Sequence, residues 1–290
     1  MHAHLSLRGL AVGDALGSQF FVPANRAAFD DRALPPAPWQ WTDDTEMACS
    51  VLHVLRRHGT VDQDALAASF AAHHDFDRGY GPSTNRLLRL VREGGDWRVL
   101  SRDTFDGQGS WGNGGAMRVA PLGAWYAGDP AEAARQAERS AVVTHAHPEA
   151  VAGTIAVAVA AALTASGHRP PGVFIDSILR HVPPGKVRDG IAEARRLLTI
   201  SDPSVASAVL GNGSRVAAHD TVPFALWAAA RHLDDYAQAF WTTAAAGGDV
   251  DTTCAIVGGI VAASADAQPP AEWLAATEPL PTWAEPGSSA

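Results

Sequence analysis

Apolar residues recur three and four positions apart along most of this chain, the spacing of one face of an α-helix. The pattern predicts a first helix over Leu5–Phe20, small and apolar on most faces, then a proline-marked loop from Phe21 to Gln40. A second helix begins at Thr42-Asp43-Asp44-Thr45-Glu46 and carries Met47, Ala48, Val51, Val54 and Leu55. It stops near His58-Gly59, where glycine ends helices readily. Asp62–His74 reads as an amphipathic helix, and the tight turn Arg78–Thr84 leads into another through Leu87, Leu88, Leu90 and Val91. The glycine-rich stretch Gly107–Gly115 precedes a helix over Ala116–Tyr126. Helices are further predicted over Pro130–Val143, Pro148–Ser166, Val173–His181, Lys186–Leu198, His219–His232 and Asp235–Ala246, with a last one from Asp251. No run alternates apolar and polar for long enough to be a strand. With no internal repeat and no linker, these segments predict an all-α fold: one compact multi-helix domain over residues 1–268. The Pro-rich tail, 269–290, is expected to pack on the surface or to be partly disordered.

Composition narrows the function. Charged residues make up 18% of the 290, against about 25% in an average domain, so a sizeable core can be buried. A formal net charge of −9, with no Lys/Arg cluster, argues against a phosphate-tracking nucleic-acid surface and fits recruitment of divalent cations. Cys49 and Cys254 have no metal-type spacing and read as small buried residues in a reducing compartment. Residues 150–166 carry no charge, but Ala, Val and Gly dominate them, and they fall short of the roughly 20 strongly apolar residues of a membrane span. A buried helix packed through small residues is the better reading. No signal-peptide pattern is present, and the expectation is a cytoplasmic monomer without a membrane partner.

Four stretches could carry chemistry. Thr42-Asp43-Asp44-Thr45 puts carboxylates and hydroxyls at a helix start, where the bland reading is an acidic cap. Gly248-Asp249-Val250-Asp251-Thr252 repeats that chemistry at a second helix start, and an extended turn there lets Asp249 and Asp251 converge on one point. Thr42, Asp43, Asp44, Asp249, Asp251 and Thr252 together form an all-oxygen set suited to two hard divalent ions, Mg²⁺ or Mn²⁺, about 3.5–4 Å apart. If these carboxylates meet, their repulsion requires bound cations or raised pKa values. The loop Gly109-Ser110-Trp111-Gly112-Asn113-Gly114 can aim backbone N–H groups at a phosphate, and Trp111 can stack on a base or ribose, though packing is its commoner role. Arg118, just beyond, is as well explained by an ion pair as by a phosphate. His145 and His147 lack a third zinc ligand at a recognisable spacing and are better read as substrate or supporting contacts. The paired glycines of Gly13-Asp14-Ala15-Leu16-Gly17 imply close approach of another backbone or a ligand.

Gly13-Asp14-Ala15-Leu16-Gly17, Thr42-Asp43-Asp44-Thr45, Gly112-Asn113-Gly114-Gly115-Ala116-Met117-Arg118, Thr144-His145 and Gly248-Asp249-Val250-Asp251-Thr252, in this order, resemble the ADP-ribosylglycohydrolase family. Glu272-Trp273-Leu274 and Pro279-Leu280-Pro281 look like its closing segment. The resemblance implies an all-α fold with a binuclear Mg²⁺ or Mn²⁺ cleft held by Thr42, Asp43, Asp44, Asp249, Asp251 and Thr252. It implies that Gly109–Gly114 cradle the diphosphate or adjoining ribose and that His145 lines the cleft. The implied reaction is hydrolysis of the glycosidic bond between ADP-ribose and an acceptor, with Asp43, Asp44 and Asp251 the candidate catalytic groups. One position departs: a glutamate common in the family is Phe21 here, with Asp30 or Asp31 the nearest acids that could replace it. The alternative this raises is a metal-retaining ADP-ribose or nucleotide binder with altered catalysis.

Overall fold

The computed structural model describes residues 1–284, apart from the side chains of Ala27 and Asp30. The chain begins with α1 (His2–Ser18), the short α2 (Arg26–Asp30), α3 (Asp43–His58), α4 (Gln63–His73), α5 (Pro82–Arg92) and α6 (Trp97–Gly107). Two short helices, α7 (Gly114–Met117) and α8 (Ala120–Trp125), lead to α9 (Pro130–Ala141), α10 (Pro148–Ala165), α11 (Pro171–Leu179) and α12 (Lys186–Arg196). The remainder is α13 (Pro203–Leu210), α14 (Ala218–Arg231), α15 (Tyr236–Ala244), α16 (Val250–Val261) and α17 (Ala271–Ala276). Among the described residues there is no strand, only the isolated bridges Trp39–Thr277 and Gly112–Ala217. The all-α expectation holds.

Small residues set the packing. α1 and α16 lie closest of all the helix pairs, and glycine makes that possible: a Cβ on Gly13 would strike the Cys254 carbonyl, and one on Gly17 would lie 2.8 Å from the Asp251 Cα. Backbone-to-backbone approach is thus what the paired glycines are for. α10 is the central helix and touches α7, α8, α9, α14 and α16. It is long and apolar enough to cross a membrane by length and composition, yet 78% of it is buried within the protein. Cys49 and Cys254 are both buried free thiols.

Several elements depart from the pattern. The helix predicted over Ala116–Tyr126 is broken into α7 and α8 at Arg118-Val119. α6 and α13 were not anticipated; both lie at the surface, α6 burying only Trp97 and Ser101 and α13 only Ala206 and Leu210, so neither shows a long apolar stripe. The loop predicted from Phe21 to Gln40 contains α2. Residues 269–284 are tied in. Trp273 is buried, Trp39 N–H donates to the Ala276 carbonyl (2.8 Å), Glu278 N–H to the Trp39 carbonyl (2.8 Å), and Trp41 Nε1 to the Pro279 carbonyl (3.3 Å). The end of the tail, 285–290, lies outside the described residues.

Candidate metal centre and cleft

Thr42 is the N-cap of α3, in extended conformation, and accepts from the Asp44 N–H at 3.4 Å. Beneath it, from the middle of α1, comes Asp14. Its Oδ2 accepts from the backbone N–H groups of Thr42 (2.9 Å) and Thr45 (3.1 Å) and from the Thr45 hydroxyl (2.6 Å). A buried carboxylate therefore seats the positive end of α3. The Thr42 hydroxyl stands 2.8 Å from Asp14 Oδ1 and 3.1 Å from Asp44 Oδ2, and its single proton can serve only one of them at a time. Asp44 Oδ1 is buried with no hydrogen-bond partner among the described residues.

α16 closes the other side. Asp249 is its N-cap residue, and Asp251 and Thr252 occupy the first turn. Asp251 Oδ1 accepts from the Thr252 N–H at 2.8 Å, and Asp249 Oδ2 from Asn113 Nδ2 at 2.7 Å. Carboxylate oxygens of Asp14, Asp44 and Asp251 lie within 4.8 Å of one another. Burial pushes every acid here upward: Asp14 to about 6, against its hydrogen bonds, and Asp43 to about 8, with Asp14 repulsion adding. Asp44 and Asp251 are pushed well above the ordinary range by burial and then by neighbouring carboxylates, and Asp249 is raised by burial. Carboxylates that resist ionisation together, with one oxygen left unpaired, are what a divalent cation would relieve, and the all-oxygen donor set suits Mg²⁺ or Mn²⁺.

These acids form one wall of a cleft of about 520 Å³, within the range of small-molecule sites. Asp43, Asp44, Asp249, Asp251 and Thr252 line it; Thr42 instead faces a neighbouring cavity shared with Gln19, Asp75 and Asp77. Of the glycine-rich loop, Ser110, Trp111, Gly112, Asn113 and Gly114 line the cleft. Gly109 does not: its φ of +75° makes the turn, and it packs against the Ala146-His147 backbone. Two loop amides are already used, Gly112 N–H by the Ser110 hydroxyl (3.2 Å) and Asn113 N–H by the Val216 carbonyl (3.3 Å). The buried Asn113 amide bridges Thr221 Oγ1 and Asp249, so it orients an acid of the cluster. His145 lines the cleft with Nδ1 2.7 Å from the Thr144 hydroxyl, and burial pushes its pKa down to about 3, so the ring is neutral. Its ring fills the space that side chains on Gly112 and Gly114 would need.

Arg118 is neither of the things expected of it. It is fully buried away from the cleft, donates to the Ser140 carbonyl (2.9 Å) and lies 4.5 Å over the Phe70 ring. His147 caps α10 by accepting from the Glu149 N–H. Phe21 is exposed on the turn after α1; Asp31 is exposed and does not line the cleft, and the Asp30 side chain lies outside the described residues.

Three participants escaped the sequence reading. Asp14 carried a signal, since it is the only acid of α1 and sits in its apolar stretch from Gly9 to Gly17. Phe105, at φ +54° and 4.6 Å from the Trp111 ring, extends the aromatic side of the cleft; its position depends on a kink no local pattern announces. Arg215 lines the rim from a loop of no recognisable motif.

The model of the family described as ADP-ribosylglycohydrolase matches residues 2–286. The ADP-ribosylhydrolase ARH3 of Xenopus tropicalis is 30% identical over 190 residues, 61% of this chain and 54% of that one, so the chain spans about half that relative's length. An uncharacterized protein of Archaeoglobus fulgidus is 32% identical over 286 residues, covering 92% of this chain and 88% of its own. A solved structure titled ADP-ribosylglycohydrolase-related protein complex superposes with a TM-score of 0.69 at 25% identity, covering 96% of this chain and 92% of its own. With fold, motif order and near-complete coverage in agreement, this chain belongs to the ADP-ribosylglycohydrolase family.

Proposed function

We propose that the chain is a divalent-metal-dependent hydrolase that cleaves the glycosidic bond between ADP-ribose and an acceptor. The observation that carries this is the unpaired Asp44 Oδ1 inside a group of converging buried carboxylates at the wall of a ligand-sized cleft. Asp14, Thr42, Asp43, Asp44, Asp249, Asp251 and Thr252 would hold two Mg²⁺ or Mn²⁺ ions. Such ions would neutralise the acids, hold ribose hydroxyls and make water easier to deprotonate. The residues do the rest. The carboxylates favour the positive character that develops at the ribose as the bond breaks, and one of Asp43, Asp44 and Asp251 takes the proton of the attacking water. Trp111 and Phe105 offer an aromatic face to the base, and the neutral His145 presents hydrogen-bonding capacity without adding charge. The expected setting is a monomer in the cytoplasm, which suits two free thiols.

Release of ADP-ribose from ADP-ribosylated arginine, serine, nucleic acid and small-molecule conjugates, with Mg²⁺ or Mn²⁺, tests the reading. Turnover by the parent chain and a fall of about 10²–10⁴-fold in Asp251→Asn would support it. A second reading, a metal-retaining ADP-ribose binder, draws on Phe21, which presents an exposed aromatic ring where the family commonly has a carboxylate. ADP-ribose binding with no turnover on any conjugate would favour it.

A further inference from the structure

The cleft is electrostatically lopsided. Among the described residues that line it, Asp43, Asp44, Asp249 and Asp251 are acids, His145 is neutral, and Arg215 is the one fixed cation. Bound divalent ions would offset the four acids and leave no surplus positive charge for the diphosphate of a nucleotide sugar, which carries about two negative charges and so gains from a further positive group. The glycine-rich loop is a limited source, because the Gly112 and Asn113 amides already donate within the protein.

We infer that Arg215 is a diphosphate-binding residue of this cleft, adding a side-chain cation to what the glycine-rich loop offers a nucleoside diphosphate sugar. This deepens the reading above and rests on it. Three structural facts carry it. First, residues 216–218 run antiparallel to 111–113, joined by the Gly112–Ala217 bridge, by Asn113 N–H to Val216 O (3.3 Å) and by Ala218 N–H to Trp111 O (3.0 Å). That register sets Arg215 beside Gly114, at the end of the loop that faces the cleft. Second, its backbone is fixed while its head is free. The Arg215 N–H donates to Asp220 Oδ2 at 2.9 Å, and Val216 is held at φ +52°, a conformation a β-branched residue adopts only under constraint. Third, the Arg215 side chain is 77% exposed and comes only within 3.9 Å of Asp220, a contact that fixes little. A planar five-donor fork in that position can engage two phosphate oxygens at once, which a lysine cannot. The same loop touches the acid wall through Asp249 N–H to Asn212 O (3.1 Å), so phosphate and ribose ends of a ligand would be read by one connected backbone.

The test is calorimetric binding of ADP-ribose to the Mn²⁺-loaded full chain, as purified and as Arg215→Gln and Arg215→Lys, at two salt concentrations. Expected are a Kd raised about tenfold or more in Arg215→Gln, partial retention in Arg215→Lys and a weaker salt dependence without the charge. Thermal stability and Mn²⁺ affinity should be unchanged in both variants. Equal ADP-ribose affinity in Arg215→Gln and the parent chain would overturn the inference and leave the proposed function standing. So would a weakened Mn²⁺ site, which would mean that Arg215 acts through Asp249 rather than on phosphate. No ADP-ribose binding by the parent chain would overturn both.

Discussion

Asp44 holds a buried carboxylate oxygen that nothing among the described residues satisfies. Such a group is a stability liability that only a ligand repays, so stability and metal binding should separate on substitution. Asp44→Asn is expected to stabilise the metal-free chain by about 1–3 kcal/mol, since an amide is easier to bury among acids. It should also remove the response to Mn²⁺, which in the parent chain amounts to about 2.7 kcal/mol at a hundredfold excess over Kd and is reversed by EDTA. Thermal unfolding with and without Mn²⁺ reads both effects; a variant that still responded to the ion would contradict the assignment. His145 gives a pH dependence. Its imidazole is buried neutral, so below pH 6.5 the unfolded chain takes up a proton that the folded chain refuses until about pH 3. The contribution is present at pH 7 and is lost as pH falls through that window, by about 2 kcal/mol at pH 5. His145→Gln should therefore lose less stability than the parent between pH 7 and 5 in urea titrations. At this scale the paired Asp/Thr clusters were legible because their chemistry is unusual at two helix starts. Asp14 was passed over because the glycines around it drew attention to backbone contact.

Helices deliver these groups through their ends. α3 and α16 both present first turns to the site, and α1 crosses beneath them with Asp14. The spacing between α1 and α16 depends on glycine, so Gly17→Ala tests the element directly. Its new methyl would stand 2.8 Å from the Asp251 Cα and 2.9 Å from the Val250 carbonyl oxygen. The helices must part, at about 1–3 kcal/mol of stability, and Asp251 must move with α16. A lower melting temperature together with weaker Mn²⁺ binding is expected; a stability loss with full metal affinity would show that α16 shifts without carrying the site. Long helices with an apolar period were legible from residue spacing alone. α6 and α13 were not: each is short, and α6 ends in a kink from Thr104 to Asp106 whose positive φ values at Phe105 and Asp106 come from tertiary packing.

Across the whole molecule, the C-terminal segment returns to the site's approach. Arg78 makes a two-pronged ion pair with Glu278 (2.7 and 2.8 Å), donates to the Trp41 carbonyl (2.9 Å) and stacks 3.6 Å from the Trp41 ring centroid. Trp41 immediately precedes the α3 cap, so this junction ties residue 278 to the first turn of α3. Glu278→Ala leaves a largely shielded guanidinium with only the longer Asp75 ion pair (3.7 Å) and should cost about 1–3 kcal/mol in denaturant unfolding. Glu278→Asp should recover part of it; no effect from the alanine variant would show the junction to be ornamental. The expectation for that stretch, surface packing or partial disorder, could not include this junction, because a lone Arg and a lone Glu two hundred residues apart carry no local sign of pairing.

The acids of the centre come from both ends of the chain: Asp14 and Asp44 early, Asp249 and Asp251 late, with roughly 200 residues between the groups. At common rates of synthesis, the ribosome needs on the order of 10 s or more to make that interval. Until residues 249–252 emerge, a nascent chain therefore carries only the early acids of the cluster. A metal ion held as proposed would then report completed folding, and a chain that stops before residue 249 would lack the late acids needed to hold it.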